Sequence, residues 1–114
     1  MGKKFLQLIA LLLVTVAVHA QSTTASLVGF VKDANNRGLE GATVEAVHEP
    51  SGTKYKTTST AEGRFVLTGL RVGGPYTLKS SYVGFGTQTQ GDVTLALGEP
   101  TRFDFALAEA NNQL

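Results

Sequence analysis

His48-Glu49 joins an imidazole to a carboxylate, two groups that carry acid–base work or hold a metal. A metal centre needs further ligands. Beyond residue 20 the chain holds no second histidine, and it has no cysteine at all. The pair therefore reads as a polar strand end beside the turn at Pro50-Ser51-Gly52. Asp33-x-Asn35 has the start of a calcium loop, and Gly38 falls at its sixth position. The twelfth position, where such a loop needs a glutamate, is Val44, so the segment reads as a hairpin turn. Gly73-Gly74-Pro75 and Gly84-Phe85-Gly86 lack the spacing of phosphate-cradling loops. Ser22, Ser26, Ser51, Ser59, Ser80 and Ser81 have no histidine base placed for a triad. No residue is assigned a catalytic, cofactor-binding or metal-ligating role. Two features could touch a ligand or a partner. Lys54-Tyr55-Lys56 could meet an anionic glycan, but fits a solvated edge strand better. Tyr82 and Phe85 could stack on sugar rings if exposed, or pack beneath the neighbouring loop.

These residues follow an export address. Met1-Gly2-Lys3-Lys4 is a short basic start, and Phe5 to Val18 is apolar apart from Gln7 and Thr15. Val18-His19-Ala20 places small residues at the positions a signal peptidase reads. The run is shorter than the ~20 residues that a spanning helix needs. Residues 1–20 are thus read as a signal peptide, cleaved between Ala20 and Gln21. Removing Lys3 and Lys4 leaves 8 basic residues against 9 acidic ones. That balance does not suggest nucleic acid, whose binders carry a basic patch or stripe. Without cysteine, no disulfide framework supports the fold, and the core must do so alone.

The mature segment alternates with a period of two, punctuated by Gly, Asn, Pro and Ser, which is the pattern of strands and turns. Leu27, Gly29 and Val31 share one face of a first strand; Ala42, Val44 and Ala46 mark a second. Lys54 to Thr60 is a polar strand suited to an edge. Ala61-Glu62-Gly63 closes a hairpin onto Arg64-Phe65-Val66-Leu67, with Phe65 and Leu67 inward. Gly69 to Pro75 is a longer crossing. Tyr76, Leu78 and Ser80 alternate in a fifth strand, and Val93, Leu95 and Leu97 share a weaker sixth. Phe103, Phe105 and Leu107 form the last. Seven strands at this spacing predict an all-β, antiparallel sandwich. The expected layout is a flexible stretch over 21–25, the sandwich over 26–108 and a frayed tail over 109–114.

The combination Leu27-x-Gly29-x-Val31-x-Asp33, Leu39-x-Gly41-Ala42-x-Val44, Glu62-Gly63-Arg64-Phe65, Tyr76-x-Leu78 and Val83-Gly84-Phe85 resembles the carboxypeptidase regulatory-like domain. The resemblance implies a seven-stranded, prealbumin-like (transthyretin-like) sandwich. Val47 to Thr53, Leu70 to Tyr76 and Ser81 to Phe85 are similar to the N-terminal extension of TonB-dependent outer-membrane receptors of the Oar-like and SusC-like branch of Bacteroidetes. In that family the domain stands in the periplasm ahead of a TonB box, a plug and a barrel. Plug and barrel strands do not follow here, so the expectation is a truncated receptor, a fragment or a free-standing copy.

Two functions follow as expectations. One is a non-catalytic accessory domain on the periplasmic side of the outer membrane, contacting receptor or TonB-system proteins and supporting nutrient uptake. The alternative is a free-standing exported sandwich, periplasmic or secreted, that binds carbohydrate or mediates adhesion. The missing constellation argues against an enzyme.

Overall fold

The computed structural model describes residues 23–110. Eight strands follow one another: β1 (Thr24–Asp33), β2 (Thr43–His48), β3 (Thr53–Thr58), β4 (Arg64–Arg71), β5 (Gly73–Ser81), β6 (Gln88–Leu95), β7 (Thr101–Arg102) and β8 (Phe105–Leu107). The described residues contain no helix. One sheet runs β4-β1-β7, with β8 also paired to β1; the other runs β3-β2-β5-β6. The result is an all-β sandwich.

The alternation read from the sequence sets which side of each strand is buried. Ala25, Leu27, Gly29 and Val31 of β1 face inward, and Phe65 and Leu67 of β4 join them. From the opposite sheet come Val44 and Ala46 of β2 and Tyr76, Leu78 and Ser80 of β5. These close into a single cluster whose largest members, Tyr76, Phe65 and Phe105, are almost wholly shielded from solvent. Each fully buried Leu, Val or Phe contributes about 1.5–3 kcal/mol over its exposed state. This supplies stability that many small secreted domains draw from disulfides.

Several connections differ from expectation. The Ala61-Glu62-Gly63 segment turns tightly, with Gly63 N–H donating to the Thr60 carbonyl at 2.9 Å, yet β3 and β4 do not pair. They enter different sheets, so the turn is an arch between layers. The loop after β1 is a tight turn, with the Asp33 N–H on the Arg37 carbonyl (2.9 Å) and a bridge from Lys32 to Gly38. Its strand β1 and the next strand, β2, likewise lie in different sheets. The segment expected as a long crossing is strand almost throughout, because β4 continues to Arg71 and β5 begins at Gly73. Leu70 is buried there as part of the core. Leu97 falls past the end of β6 and is 56% exposed.

The last strand is divided, which makes eight strands of seven. Phe103 N–H donates to the Val28 carbonyl (2.9 Å), and the Asp104 carboxylate accepts the Phe30 N–H (3.0 Å). The side chain thus replaces a main-chain partner and breaks the strand between β7 and β8. Both halves run parallel to β1, so the sandwich is not purely antiparallel.

The ends are more ordered than expected where they are described. Thr24 and Ala25 already belong to β1, and Ala25 is 2% exposed. Glu109 bridges Phe85, and the Ala110 N–H donates to the Gly84 carbonyl at 2.8 Å. The expected cleavage site at Ala20 and Gln21, and residues 111–114 of the tail, lie outside the described residues.

Candidate binding surface

The chain leaves β5 through Tyr82, turns at Val83-Gly84 and returns at Phe85, whose N–H donates to the Tyr82 carbonyl (3.0 Å). Gly84 has φ +85°, a conformation that side-chain-bearing residues rarely hold. The turn places the Tyr82 and Phe85 rings 5.5 Å apart at 66°, edge to face, with both half-buried against the core. Neither ring is a bare platform for a sugar. The tail clamps this loop from outside, through Gly86 N–H to the Ala108 carbonyl at 2.8 Å. Phe85 and Glu109 enclose with Asp33, Ala34 and Asn35 a shallow hollow of about 260 Å³. The Asp33 carboxylate there accepts the N–H groups of Asn35 (2.8 Å) and Arg37 (2.9 Å), so it shapes its own loop.

His48 sits at the end of β2 beside two tyrosines. Its Nδ1 is 2.6 Å from Ser51 Oγ, which in turn lies 2.8 Å from Thr53 Oγ1. Its ring meets Tyr76 edge-on at 5.1 Å, and the Tyr55 ring lies 6.3 Å from that of Tyr76. The Tyr76 hydroxyl donates to the Arg71 carbonyl at 2.7 Å. Burial first, then the neighbouring Tyr55, push its pKa up to about 12. The phenol therefore stays protonated at neutral pH and serves as a structural donor. Glu49, next along, is exposed. Among the described residues, no three His, Cys, Asp or Glu gather as a metal site.

The two outer faces differ. On the β3-β2-β5-β6 sheet, Lys54 and Lys56 are exposed while Tyr55 turns inward. Lys56 Nζ stands 3.9 Å from Glu45 Oε2, and Lys79 flanks Glu45 on the other side. A surface pair of this length is worth little in stability. On the β4-β1-β7 sheet, Phe30 points outward and gathers cations. Lys32 Nζ lies 5.1 Å from its ring centre and the Arg102 guanidinium 5.6 Å, within cation–π range. Arg64 is its partner across the β1–β4 ladder. Arg102 also approaches Asp104 at 3.4 Å. A groove of about 330 Å³ follows Val28, Gly29, Phe30, Glu62, Arg64 and Arg102.

Sequence reasoning did not single out Phe30, Arg64 or Arg102. One signal was present. Phe30 is out of phase with Leu27, Gly29 and Val31, which puts an aromatic on the solvent face two residues before Lys32.

The sandwich and its residue pattern match the family model described as the carboxypeptidase regulatory-like domain, over residues 26–108. The chain belongs to that family. No curated protein sequence matches it. Among solved structures, hydroxyquinol 1,2-dioxygenase from Pseudomonas putida DLL-E4 superposes with a TM-score of 0.63 at 9% identity, over 80% of this chain and 58% of that one. The dioxygenase domain of a dioxygenase–carbohydrate-binding protein fusion from the cellulolytic Streptomyces sp. SirexAA-E gives 0.58 at 16%, over 78% and 82%. A type II cohesin–X-dockerin complex from Acetivibrio cellulolyticus gives 0.60 at 16%, over 75% and 58%. At these identities the likeness is one of fold. The regulatory-like domain thus spans little more than half of the first of these chains.

Proposed function

We propose that this carboxypeptidase regulatory-like domain is a non-catalytic accessory module of a TonB-dependent outer-membrane receptor. It acts by protein contact on the periplasmic side of the outer membrane and supports nutrient uptake. The observation that carries the reading is the family match over residues 26–108, joined to the three receptor-like segments. Those segments form the β2–β3 turn, the passage from β4 into β5 and the turn after β5. The third contains Tyr82 and Phe85; the first two meet at the opposite end of the β2–β5 ladder, where His48 pairs with Tyr76. The gathered polar clusters are spent within the fold. Asp33 braces a loop, His48 meets Ser51, and Tyr76 serves a carbonyl.

The test is fractionation of the native host with antibody raised against residues 21–114, read by size on a denaturing gel. A large band in the outer membrane is expected, and makes this sequence the front of a receptor. A band no larger than this chain, soluble in the periplasm or outside the cell, overturns the receptor reading. It turns the question to a free-standing carbohydrate-binding or adhesive sandwich.

A further inference from the structure

The sheet edges differ in how much free main chain they present. Along β4, the Arg64 carbonyl already accepts the Thr60 N–H (2.8 Å), and the ladder with β1 shifts past Leu67. β6 has register shifts and a left-handed Asp92 at φ +57°. β7 and β8 are two and three residues long. β3 is different. All six of its residues hold one register with β2, from Thr53 opposite His48 to Thr58 opposite Thr43, without a shift. It also ends its sheet, so no strand lies on its other side among the described residues.

The free groups on that side follow from the residue just past the strand. Ser59 N–H donates to the Ala42 carbonyl (2.9 Å), and the Ser59 carbonyl accepts the Gly41 N–H (3.0 Å), so Ser59 faces the β2 side. Main-chain groups alternate in direction along a strand. Thr57 and Tyr55 therefore face β2 as well, while Thr58, Lys56 and Lys54 turn their N–H and C=O groups to the open side. Among the described residues, no main-chain bond from another strand or loop reaches those groups. The side chains of the same three residues stand exposed on the outer face. Lys54 lies opposite Val47, Lys56 lies opposite Glu45, and Lys79 flanks Glu45 from β5. Across β3, β2 and β5, three lysines thus share one acid. Two copies paired along the length of β3 would set lysine against lysine, which disfavours a dimer there. An acidic strand meets the opposite situation.

We propose that the open edge of β3 takes an acidic extended segment of a partner protein as an added strand. Its acids fall at alternate positions, opposite Lys54 and Lys56. Main-chain bonds supply affinity in this mode, and alternate side chains supply choice. The positions between the acids turn inward beside Tyr55 and Thr57, which lie opposite the buried Ala46 and Val44. A hollow of about 410 Å³ opens there, lined by Thr57, Thr58 and Thr60 and running to Val66. It has room for a β-branched side chain. The choice of a protein over an anionic glycan rests on the accessory-module reading and on the free groups, which a second main chain matches residue by residue.

The test uses the isotopically labelled chain and an end-blocked peptide, Thr-Glu-Val-Glu-Val-Glu-Thr. Its alternate acids can meet both lysines in either direction. Saturable shifts centred on the Lys54, Lys56 and Thr58 amides, with slowed exchange there, are the expected result. N-methylation of one alternate set should weaken binding about tenfold or more: the glutamates if the strand adds antiparallel, the valines if parallel. Exchanging both lysines, Lys54→Glu with Lys56→Glu, should weaken it about tenfold, and lysine in place of the peptide's acids should restore it. No binding up to about 1 mM peptide, a range that covers the weakest specific contacts, overturns the proposal. So does binding that ignores both N-methylations, which is how a plain polyanion site for a glycan would behave. Equal binding of a peptide with glutamine for glutamate, or a shift map centred on β4, β6 or Phe30, overturns it too. These outcomes leave the receptor reading intact, since the fractionation above decides that separately.

Discussion

Gly29 lies directly beneath the backbone of Phe103: a β-carbon on Gly29 would stand 1.8 Å from the Phe103 carbonyl oxygen and 3.0 Å from the Phe65 ring. That approach lets Phe103 N–H reach the Val28 carbonyl and brings β7 and β8 alongside β1. Gly29→Ala must push β7 and β8 off the first sheet. The expected cost is about 3 kcal/mol, the upper end for overpacking, read as a lower midpoint in urea unfolding. A loss under about 0.5 kcal/mol, typical of a neutral surface change, would mean that the approach is not needed.

Ser59 ties the connection before β2 to the arch after β3. Its hydroxyl donates to the Leu39 carbonyl and its oxygen accepts the Ala42 N–H at 2.8 Å, all in the interior. Ser59→Ala strands both main-chain groups. Leaving buried groups unpaired costs about 1–3 kcal/mol. Urea unfolding should show that loss, and faster amide exchange at Ala42 should accompany it.

Ser80 is the contrasting case. Its side chain is fully buried, and its hydroxyl has no hydrogen-bond partner. Ser80→Ala removes an unsatisfied polar atom and keeps the backbone. The variant should be as stable as the parent or about 1 kcal/mol more so. A clear loss of stability on thermal unfolding would show that the hydroxyl has a partner in solution.

Much of the sandwich was legible because burial on a strand is a local, period-two property. Leu27-Gly29-Val31, Phe65-Leu67 and Tyr76-Leu78-Ser80 each declared the inward face that the structure gives them. Which sheet a strand joins is not local. The turn at residues 61–63 looks the same whether β3 and β4 pair or part, and here they part. Phe103, Phe105 and Leu107 are in phase, yet Asp104 interrupts them by taking an N–H 74 residues away. The cation face around Phe30 was hidden for the same reason. It exists only because β7 lies parallel to β1 and delivers Arg102 beside Val28.

Tyr82 and Phe85 fill space in the turn after β5 more than they present a face. Their rings contact each other and the core. Phe85→Ala should therefore cost about 2 kcal/mol, below the range for a fully buried aromatic. Binding of neutral oligosaccharides, followed by calorimetry, should be the same in parent and variant. Sugar binding in the parent that vanishes in Tyr82→Ala, with stability unchanged, would reverse this assignment.

Tyr76 links stability to alkaline pH. Its hydroxyl serves the Arg71 carbonyl, and burial followed by Tyr55 hold its pKa at about 12. An unfolded tyrosine ionises near 10. The folded state thus binds this proton more tightly than the unfolded state. The associated stability is fully present below pH 10 and is lost as pH rises from about 10 to 12. Tyr76→Phe removes one neutral hydrogen bond, a loss of about 1 kcal/mol at pH 7. It also removes this contribution to alkaline unfolding. Parent and variant stabilities, measured in urea at intervals from pH 8 to about pH 12, should therefore converge toward the alkaline end. Parallel curves across that range would mean that the phenol ionises alike in both states and that burial does not hold its proton.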